Sequence, residues 1–429
     1  MGNLYTKRSL VHRYGWYGWL ICSLAALFYC YEYLLRIEPS VMDVPLRHHF
    51  IGLTAGGLGL LSAMYYWAYT PMQAVVGVMT DRYGPKRILT LAIALCAFGT
   101  FVFGDTSDLY VAALGRFLVG CGSAFAFVGV LKLAAMWLPE KHFALFAGIT
   151  TSLGMTGAMC GDIGMTWMVH HIGWHHVITF SVIVGAVLLP IFYLFVHEKI
   201  IHEPVHKPRD TFKVYFKGFF ELLKKKDMLI AGFIGCLMYL SVSAFGEMWG
   251  IPFLQRVMPH HHVAASMLNS MVFFGWLLGG PLMGFISQRI QSRRKLLIVG
   301  SIGAAITFGL VVYNPYLSPL TMAIVLCLFG FFCSAQILCF AIGRDYVEAK
   351  LAATAAGVIN MLVMLSGMLL QPLMSKMLDW AWSGQMLHGL RVYSVNDYRI
   401  AMIILPVAFV ISAMLAFTMR ESYKTSNAQ

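Results

Sequence analysis

Apolar runs of about 20 residues recur along almost the whole chain, and they constrain its fold more than any other feature of the sequence. A helix of that length crosses the roughly 30 Å hydrocarbon core of a bilayer. Only 12% of the 429 residues are charged, whereas soluble proteins contain roughly 25%. The sequence therefore predicts an all-α polytopic membrane protein and disfavours a soluble protein with buried helices.

Hydropathy and helix-breaking residues divide the chain into twelve predicted membrane spans. They lie at approximately 15–37, 51–79, 88–104, 108–136, 143–168, 174–196, 228–254, 264–288, 296–313, 319–343, 351–376 and 399–419. The longest connection separates six spans from six. We therefore expect an N-terminal half (1–196), a cytoplasmic linker (197–227) and a C-terminal half (228–429).

The second part of the linker has a helical pattern. Lysines alternate there with apolar residues at helical spacing, namely Phe212, Tyr215, Phe216, Phe219 and Leu223. This pattern predicts an amphipathic helix that lies on the anionic inner leaflet. A flexible, solvated linker is the alternative.

The basic residues are distributed unevenly between the two sides of the predicted spans. With both termini in the cytoplasm, most of the 31 Lys and Arg residues fall in cytoplasmic segments, as the positive-inside rule requires. We therefore predict cytoplasmic termini. This topology explains the net charge of +12, so the lipid bilayer, and not nucleic acid, is the expected partner of the basic segments.

Two short sequences occur twice at nearly the same offset. "GVMTDRYGPKR" begins at Gly77, and "GFISQRIQSRRK" begins 207 residues later at Gly284. "KHFALFAG" begins at Lys141, and "KLAATAAG" begins 209 residues later at Lys350. Duplicated six-helix units are typical of transporters, which hold their substrate near the membrane midplane between the repeats.

The loop after the second span resembles the signature loop of the major facilitator superfamily, G-x-x-x-D-R-x-G-x-K/R-R. The matching residues are Gly77, Asp81, Arg82, Gly84, Lys86 and Arg87. "RFLVGCGSA", which begins at Arg116, resembles the fourth-helix motif of the same superfamily. The resemblance implies the twelve-helix fold of these transporters. It also implies that the loop is a conformational latch, which holds the cytoplasmic side shut in the outward-open state.

The chemistry of that loop can be read from its residues. Gly84 permits a turn with positive φ. Asp81 is an acid at the cytoplasmic end of a helix, where the helix dipole is already negative. It therefore needs a partner, either an arginine or the N-terminus of a helix in the other half. The second copy has Gln288 in place of the acid, so we expect a weaker latch there.

The first span carries charges that a membrane helix normally avoids. Tyr29, Glu32, Tyr33 and Arg36 recur at i, i+3, i+4 and i+7, which places them on one face. In the proton-coupled sugar porters of the superfamily, an acid on the first helix pairs with the fourth-helix arginine and carries the proton. The resemblance implies this role for Glu32 and Arg116. The alternative is that Glu32 only neutralises Arg36 or Arg116.

The seventh span carries a second acid, Glu247, so each predicted half begins with a carboxylate-bearing helix. We predict a proton-coupling group of Glu32, Arg36, Arg116 and Glu247. The predicted substrate-binding residues are polar side chains that we expect to line the central cavity, namely Tyr29, Tyr33, Tyr66, Gln336 and Asn360. The alternative for the tyrosines is packing, because tyrosine is common in membrane helices.

Other reactive residues give weaker signals. Most of the fifteen histidines map to the outer side, where they serve either as pH sensors or, as we prefer, as polar loop residues. The nine cysteines lie within apolar runs and form no metal-ligand spacing, so we expect neither disulfides nor a metal. The sequence shows no nucleophile motif and no phosphate loop. We therefore expect a non-enzyme without a cofactor, in which the proton is the coupling ion.

Two sequence segments indicate the class of substrate. "FYCYEYLLRIEPSVM" and "AFGEMWGIPFLQ" resemble the phagosomal nutrient transporters of intracellular bacteria, which import amino acids or nucleosides. This resemblance implies a monomeric, proton-coupled importer of a small nutrient in the bacterial inner membrane, with an amino acid as the first expectation and a nucleoside as the second. The alternatives are an exporter or antiporter of organic anions or drugs, and a non-transporting sensor with the same fold.

Overall fold

The computed structural model describes residues 15–197, 216–258, 261–314, 317–347 and 351–422. The predictions for both termini, for most of the linker and for His260 lie outside these residues. Residues 216–222 of the linker are helical, as the lysine-spaced apolar pattern predicts. Phe219 and Leu222 of this short helix are buried against the bundle, so at least these two side chains pack on protein.

Nine α-helices precede the linker in the described part of the chain: α1 (Gly15–Val41), α2 (Asp43–His49), α3 (Ala55–Met72), α4 (Val76–Tyr83), α5 (Pro85–Gly104), α6 (Leu109–Ser123), α7 (Ala126–Trp137), α8 (Glu140–Ile172) and α9 (Trp174–Phe195). α6 and α7 continue one another across Ala124 and Phe125 and form a single span. We call residues 15–196 the N-terminal half.

Ten α-helices follow residue 225 in the described chain: α10 (Lys226–Leu240), α11 (Gly250–Val257), α12 (His262–Ile290), α13 (Arg293–Tyr313), α14 (Pro319–Cys333), α15 (Leu338–Asp345), α16 (Ala352–Leu365), α17 (Gln371–Ala381), α18 (Val395–Met402) and α19 (Ile404–Thr418). Two π-helical segments, Ser241–Trp249 and Ser366–Leu370, and one 3-10 segment, Ser334–Ile337, interrupt the spans. A two-stranded antiparallel ribbon, β1 (Met386–Leu387) and β2 (Leu390–Arg391), joins α17 to α18. We call residues 226–422 the C-terminal half.

Ten of the described helices or helix pairs are long and apolar enough to cross a membrane. Helices also occupy the two remaining predicted spans, at α3–α4 and at α8. The second span is broken at residues 73–75, where the amides of Gln73, Ala74 and Val75 donate to carbonyls three residues earlier and the chain turns before α4. The predicted fold class, an all-α polytopic membrane protein, is confirmed.

We name the two ends of the bundle outer and inner according to the topology that the Lys and Arg distribution predicts. In this convention α2 lies at the outer end, and the α4–α5 connection lies at the inner end. Gly84 in that connection has a φ of +83°, which confirms the predicted turn with positive φ. Pro85 then starts α5, where its missing N–H costs nothing.

Gly120 sets how closely α6 approaches α3. A Cβ atom at this position would collide with the backbone carbonyl of Tyr65. The two helices therefore pack with their backbones in contact, as small residues allow in membrane proteins. This close packing fixes the position of Tyr65 and Tyr66 on α3.

Gly120→Ala is expected to destabilise the protein by roughly 1–3 kcal/mol, because the added methyl group must push α6 away from α3. The measurement is the thermal unfolding midpoint of purified protein. Gly309→Ala is the matched control, because a Cβ there meets no atom within 4 Å and alanine favours a helix. Equal midpoints for the two variants would contradict the close packing.

Candidate functional site

Three charged side chains meet at the centre of the bundle, and we call Glu32, Arg36 and Glu247 the central charge cluster. The Arg36 Nη2 atom donates to both carboxylate oxygens of Glu32 at 3.0 Å. Its Nη1 atom lies 3.6 Å from Oε1 of Glu247. All three side chains are at most 2% exposed. The cluster joins the two halves, because Glu247 belongs to the C-terminal half.

Tyrosine rings surround the guanidinium group of Arg36. Its Cζ atom lies 4.4–5.9 Å from four ring centres, those of Tyr33, Tyr65, Tyr66 and Tyr69. We call these four residues the tyrosine cage. Such contacts stabilise a cation most where water is excluded. The cage therefore provides a buried site for one permanent positive charge.

Tyrosine hydroxyl groups add further hydrogen bonds to the cluster. Tyr65 donates to Oε2 of Glu32 at 2.9 Å, and Tyr66 donates to Oε2 of Glu247. Tyr239, on α10, accepts from Arg36 Nη1 at 2.8 Å. Two polar atoms of the cluster, Arg36 Nε and Glu247 Oε1, have no hydrogen-bond partner among the described residues. The cluster is therefore incompletely hydrogen-bonded in this conformation.

The local backbone explains how these side chains meet. Glu32 and Arg36 are four residues apart on α1, so they share one face. Glu247 lies in the π-helical segment Ser241–Trp249, and the wider turns of a π-helix occur frequently at functional sites. The predicted common face of Glu32, Arg36 and Tyr33 is what the structure shows.

The predicted pair of Glu32 and Arg116 is not present in this structure. Glu32 pairs with Arg36, whereas Arg116 Nη1 lies 3.8 Å from Oε2 of Glu38. Arg116 also donates to the backbone carbonyl of Leu35 at 2.8 Å. The physical reason is the i, i+4 geometry of α1, which already gives Glu32 a cation. Arg116 and Glu38 therefore form a second buried ion pair, in which the two charges cancel.

Glu38 is a buried acid that sequence reasoning missed. It is fully buried, although the predicted first span ends at residue 37 and leaves Glu38 outside the membrane. Pro39 favours an end of the helix at this point, but it lies inside α1 and does not end it.

The remaining predicted substrate-binding residues are distributed over both halves. Tyr29 donates to the Tyr33 hydroxyl at 3.5 Å, next to the tyrosine cage. Asn360, on α16, interacts with Tyr69. Gln336 lies in the 3-10 segment Ser334–Ile337 and is buried. The structure thus brings Tyr29, Tyr33 and Asn360 near the cluster, whereas Gln336 has no described contact with it.

The signature loop has a different partner from the one predicted. Asp81 pairs with Lys132 of α7 at 2.8 Å, so its partner is a lysine of its own half. α7 packs beside α4, which brings Lys132 to the inner end of the bundle. Lys86 lies 4.9 Å from the Tyr193 ring centre, and Arg82 lies 5.3 Å from that of Tyr83. We predicted an arginine or the N-terminus of a helix in the other half, so the predicted partner is wrong for this conformation. The latch role stays a prediction.

The outer end carries hydrogen bonds that join the two halves. Oδ2 of Asp379, at the end of α17, accepts from Thr54 Oγ1 at 2.6 Å and from the Gly56 amide at 2.8 Å. Tyr393 donates to Oδ1 of Asp379 at 2.5 Å and accepts from the Ala55 amide at 3.0 Å. Asp379 therefore caps the N-terminus of α3 across the interface. We call this group of residues the outer latch.

The outer histidines include one stacked pair between the halves. His170 of α8 and His262 of α12 have ring centres 4.0 Å apart. They border a recess of about 310 Å³ that His171 and His261 also line. No cluster of three or more metal ligands occurs among the described residues.

The fold and the buried ionic centre define a class of protein: a multi-pass membrane transporter of the helical type. The sequence model of the Major Facilitator Superfamily matches residues 13–371. The chain belongs to this superfamily. Its members are transporters and not enzymes.

The names of two related proteins refer to organic anions. The chain is 28% identical over 170 residues to the probable sulfoacetate transporter SauU of Cupriavidus necator, a match that covers 40% of this chain and 39% of that protein. It is 26% identical over 352 residues to the probable galactarate/D-glucarate transporter GudP of Escherichia coli, which covers 74% of this chain and 77% of that one. None of the relatives named here is called an amino-acid transporter.

Solved structures share the fold at low sequence identity. A bacterial homologue of the human lysosomal transporter Spinster, solved in an inward-facing and unoccupied conformation, superposes with a TM-score of 0.73 at 18% identity, over 96% of this chain and 98% of that one. The nucleoside transporter NupG superposes with a TM-score of 0.73 at 16% identity, over 94% and 99%. These likenesses establish the fold.

Proposed function

We propose that the protein imports a small organic anion together with protons, and that a carboxylate of the substrate binds Arg36. The observation that carries this proposal is the composition of the central charge cluster. One buried guanidinium is held by two buried carboxylates. When all three groups are ionised, the cluster has one negative charge in excess, in a region where unbalanced charge is costly.

This composition links substrate binding to proton binding. An anion that approaches Arg36 has to displace Glu32 or Glu247 and adds a further negative charge. Protonation of the displaced carboxylate removes that charge. Glu247 is the carboxylate that we expect to leave first, because it lies 3.6 Å from Arg36, whereas Glu32 makes two bonds of 3.0 Å. Proton and anion therefore bind together, as in a symporter.

The tyrosine hydroxyls and the relatives suggest the class of anion. Tyr33 and Tyr69 lie beside Arg36, and Tyr29 contacts the Tyr33 hydroxyl. These three hydroxyls offer donors and acceptors to substrate hydroxyl groups. Hydroxylated acids fit this lining, and galactarate and glucarate in the name of one relative belong to that class. We therefore place a sugar acid first. This choice differs from the amino acid that the sequence led us to expect.

An amino acid is the second candidate, because one observation favours it. Arg36 Nη1 and Glu247 Oε1 lie 3.6 Å apart, and both Arg36 Nε and Glu247 Oε1 lack hydrogen-bond partners among the described residues. A zwitterion could place its carboxylate on Arg36 and its ammonium group on Glu247. Such a substrate would need fewer protons, because it brings no net charge.

The test is uptake by protein reconstituted into liposomes, with and without an inward proton gradient. The substrate panel contains sugar acids, a sulfonate, amino acids and nucleosides. We expect accumulation of an organic acid that depends on the gradient. Accumulation that ignores the gradient would contradict proton coupling, and accumulation of a nucleoside alone would contradict the role of Arg36.

Glu247→Gln is expected to abolish gradient-driven accumulation and to spare counterflow exchange, because Glu247 is the carboxylate that leaves Arg36 first. The amide keeps the shape of the side chain and a hydrogen bond with Tyr66, but it cannot exchange a proton. The two assays on the same liposomes separate coupling from binding. Accumulation that survives in this variant would contradict a proton-coupling role for Glu247.

A further inference from the structure

A third buried carboxylate lies between the two halves, outside the central charge cluster. Asp162 of α8 is fully buried. Its Oδ2 atom accepts from Asn269 Nδ2 of α12 at 2.6 Å and from Ser270 Oγ at 3.5 Å. Its Oδ1 atom has no hydrogen-bond partner among the described residues. α8 belongs to the N-terminal half and α12 to the C-terminal half, so these contacts cross the interface.

The surroundings of Asp162 supply no positive charge. It forms no ion pair among the described residues. Asn269, which donates to Asp162, also donates to the carbonyl of Gly246, and the next residue is another carboxylate, Glu247. On α1, which packs against α8, Arg36 is held by the central charge cluster. Arg116 on α6 pairs with Glu38 of α1, and Lys132 on α7 pairs with Asp81.

The neighbouring elements otherwise present neutral groups to α8. α12 contributes Asn269 and Ser270, and α9 contributes Ser181, which lies near Glu38. His262 stacks on His170 at the outer end of α12. An ionised carboxylate in such a position would be a buried charge without compensation, which is far more costly than a buried neutral acid.

Two hydrogen-bond acceptors at this site have no donor among the described residues. Both Asp162 Oδ1 and Asn269 Oδ1 are buried oxygen atoms without a donor in the described structure. Buried polar atoms in folded proteins almost always have partners. A proton on Asp162 converts one of these acceptors into a donor and removes the charge at the same time.

We propose that Asp162 is a second proton-binding site, which holds a proton while α8 and α12 are in contact and releases it when they separate at the outer end. Separation exposes the carboxylate to water, where it ionises. Asn269 also donates to the carbonyl of Gly246 at 2.8 Å, and Gly246 precedes Glu247. Asp162 is thus connected to the backbone of the π-helical segment that carries a member of the central charge cluster.

The part of this inference that concerns proton binding rests on geometry alone, whereas its contribution to coupling rests on the proposed function. Two measurements without substrate test the first part, so they remain informative if the protein does not transport an organic anion. They use full-length protein, with Asp162→Asn as the variant and Asp105→Asn as the matched control. Asp105 is an exposed aspartate.

The first measurement is the infrared spectrum at neutral pH. We expect the wild type minus the Asp162→Asn variant to show the carbonyl band of a protonated carboxylic acid. The subtraction is repeated with a parent protein that carries Glu32→Gln and Glu247→Gln. The band should remain, which assigns it to Asp162. A difference spectrum with the bands of an ionised carboxylate in place of the acid band would overturn the proposal.

The second measurement is the pH dependence of opening at the outer end, from the distance between spin labels on Ile51→Cys and Trp380→Cys. Both sites are exposed, on opposite halves. The open state binds one proton fewer at Asp162, so higher pH favours it, by up to about tenfold per pH unit. We expect Asp162→Asn to lower this slope by one proton and Asp105→Asn to leave it unchanged. An unchanged slope in Asp162→Asn would refute the release step.

Discussion

Arg36→Gln is expected to abolish transport and to destabilise the protein by roughly 3–5 kcal/mol, because it leaves Glu32 and Glu247 buried without a cation. The tyrosine cage would then surround a neutral amide. The thermal unfolding midpoint of purified protein measures the stability, and liposome uptake measures the transport. Arg289→Gln is the matched control, since Arg289 is exposed at the inner end of α12, and we expect a change within about 0.5 kcal/mol there.

A triple variant separates folding from function in this experiment. Arg36→Gln combined with Glu32→Gln and Glu247→Gln removes the cation and both of its partners, so no buried charge of the cluster remains uncompensated. We expect this variant to recover most of the lost stability and to remain inactive in uptake. Stability and transport at wild-type levels in Arg36→Gln alone would show that the central charge cluster is dispensable.

Asp379→Ala is expected to shift the protein towards a state that is open at the outer end. The substitution removes the two hydrogen bonds that cap α3 across the interface, the acceptor for Tyr393 and the ion pair with Arg391 at 3.6 Å. Burial raises the pKa of the Tyr393 hydroxyl, so this group stays protonated and keeps its need for an acceptor. A loss of about 2 kcal/mol corresponds to roughly a thirtyfold change in the equilibrium between closed and open states.

The control for the outer latch is another aspartate that caps a helix. Asp108 accepts from the amides of Tyr110 and Val111 at the start of α6, so its bonds stay within one half. Asp108→Ala should lower stability without a shift in conformation. The distance between spin labels on Ile51→Cys and Trp380→Cys is the readout. Equal distance distributions in the two variants would contradict a latch at Asp379.

Much of the fold follows from the sequence because hydrophobic length decides what crosses a membrane. The broken second span is the instructive exception. Its apolar run predicts one helix over 51–79, but the chain turns at residues 73–75, before Val76. Helix periodicity also placed Glu32 and Arg36 on one face, and the structure shows them in contact.

The partners of these side chains could not be predicted in the same way. Tyr65, which donates to Glu32, lies one residue before the predicted Tyr66 and about 100° from it around the helix. Both reach the cluster because they contact different members of it: Tyr65 contacts Glu32 of α1, and Tyr66 contacts Glu247 of the π-helical segment. The pair of Arg116 and Glu38 likewise depends on the height at which α6 crosses α1. Such relations between helices are set by packing and are not visible in the periodicity of either helix.

The π-helical segment Ser241–Trp249 gives the site a means of rotation. A π-turn contains about one residue more than an α-turn. Return of this segment to α-helical register would therefore turn the side chain of Glu247 by about 100° around the axis. The hydrogen bond of Ser243 to Ser366 at 3.1 Å joins this segment to the second π-helical segment, Ser366–Leu370. A one-residue screw motion, without any tilting of the helix, would thus suffice to withdraw one counter-charge from Arg36.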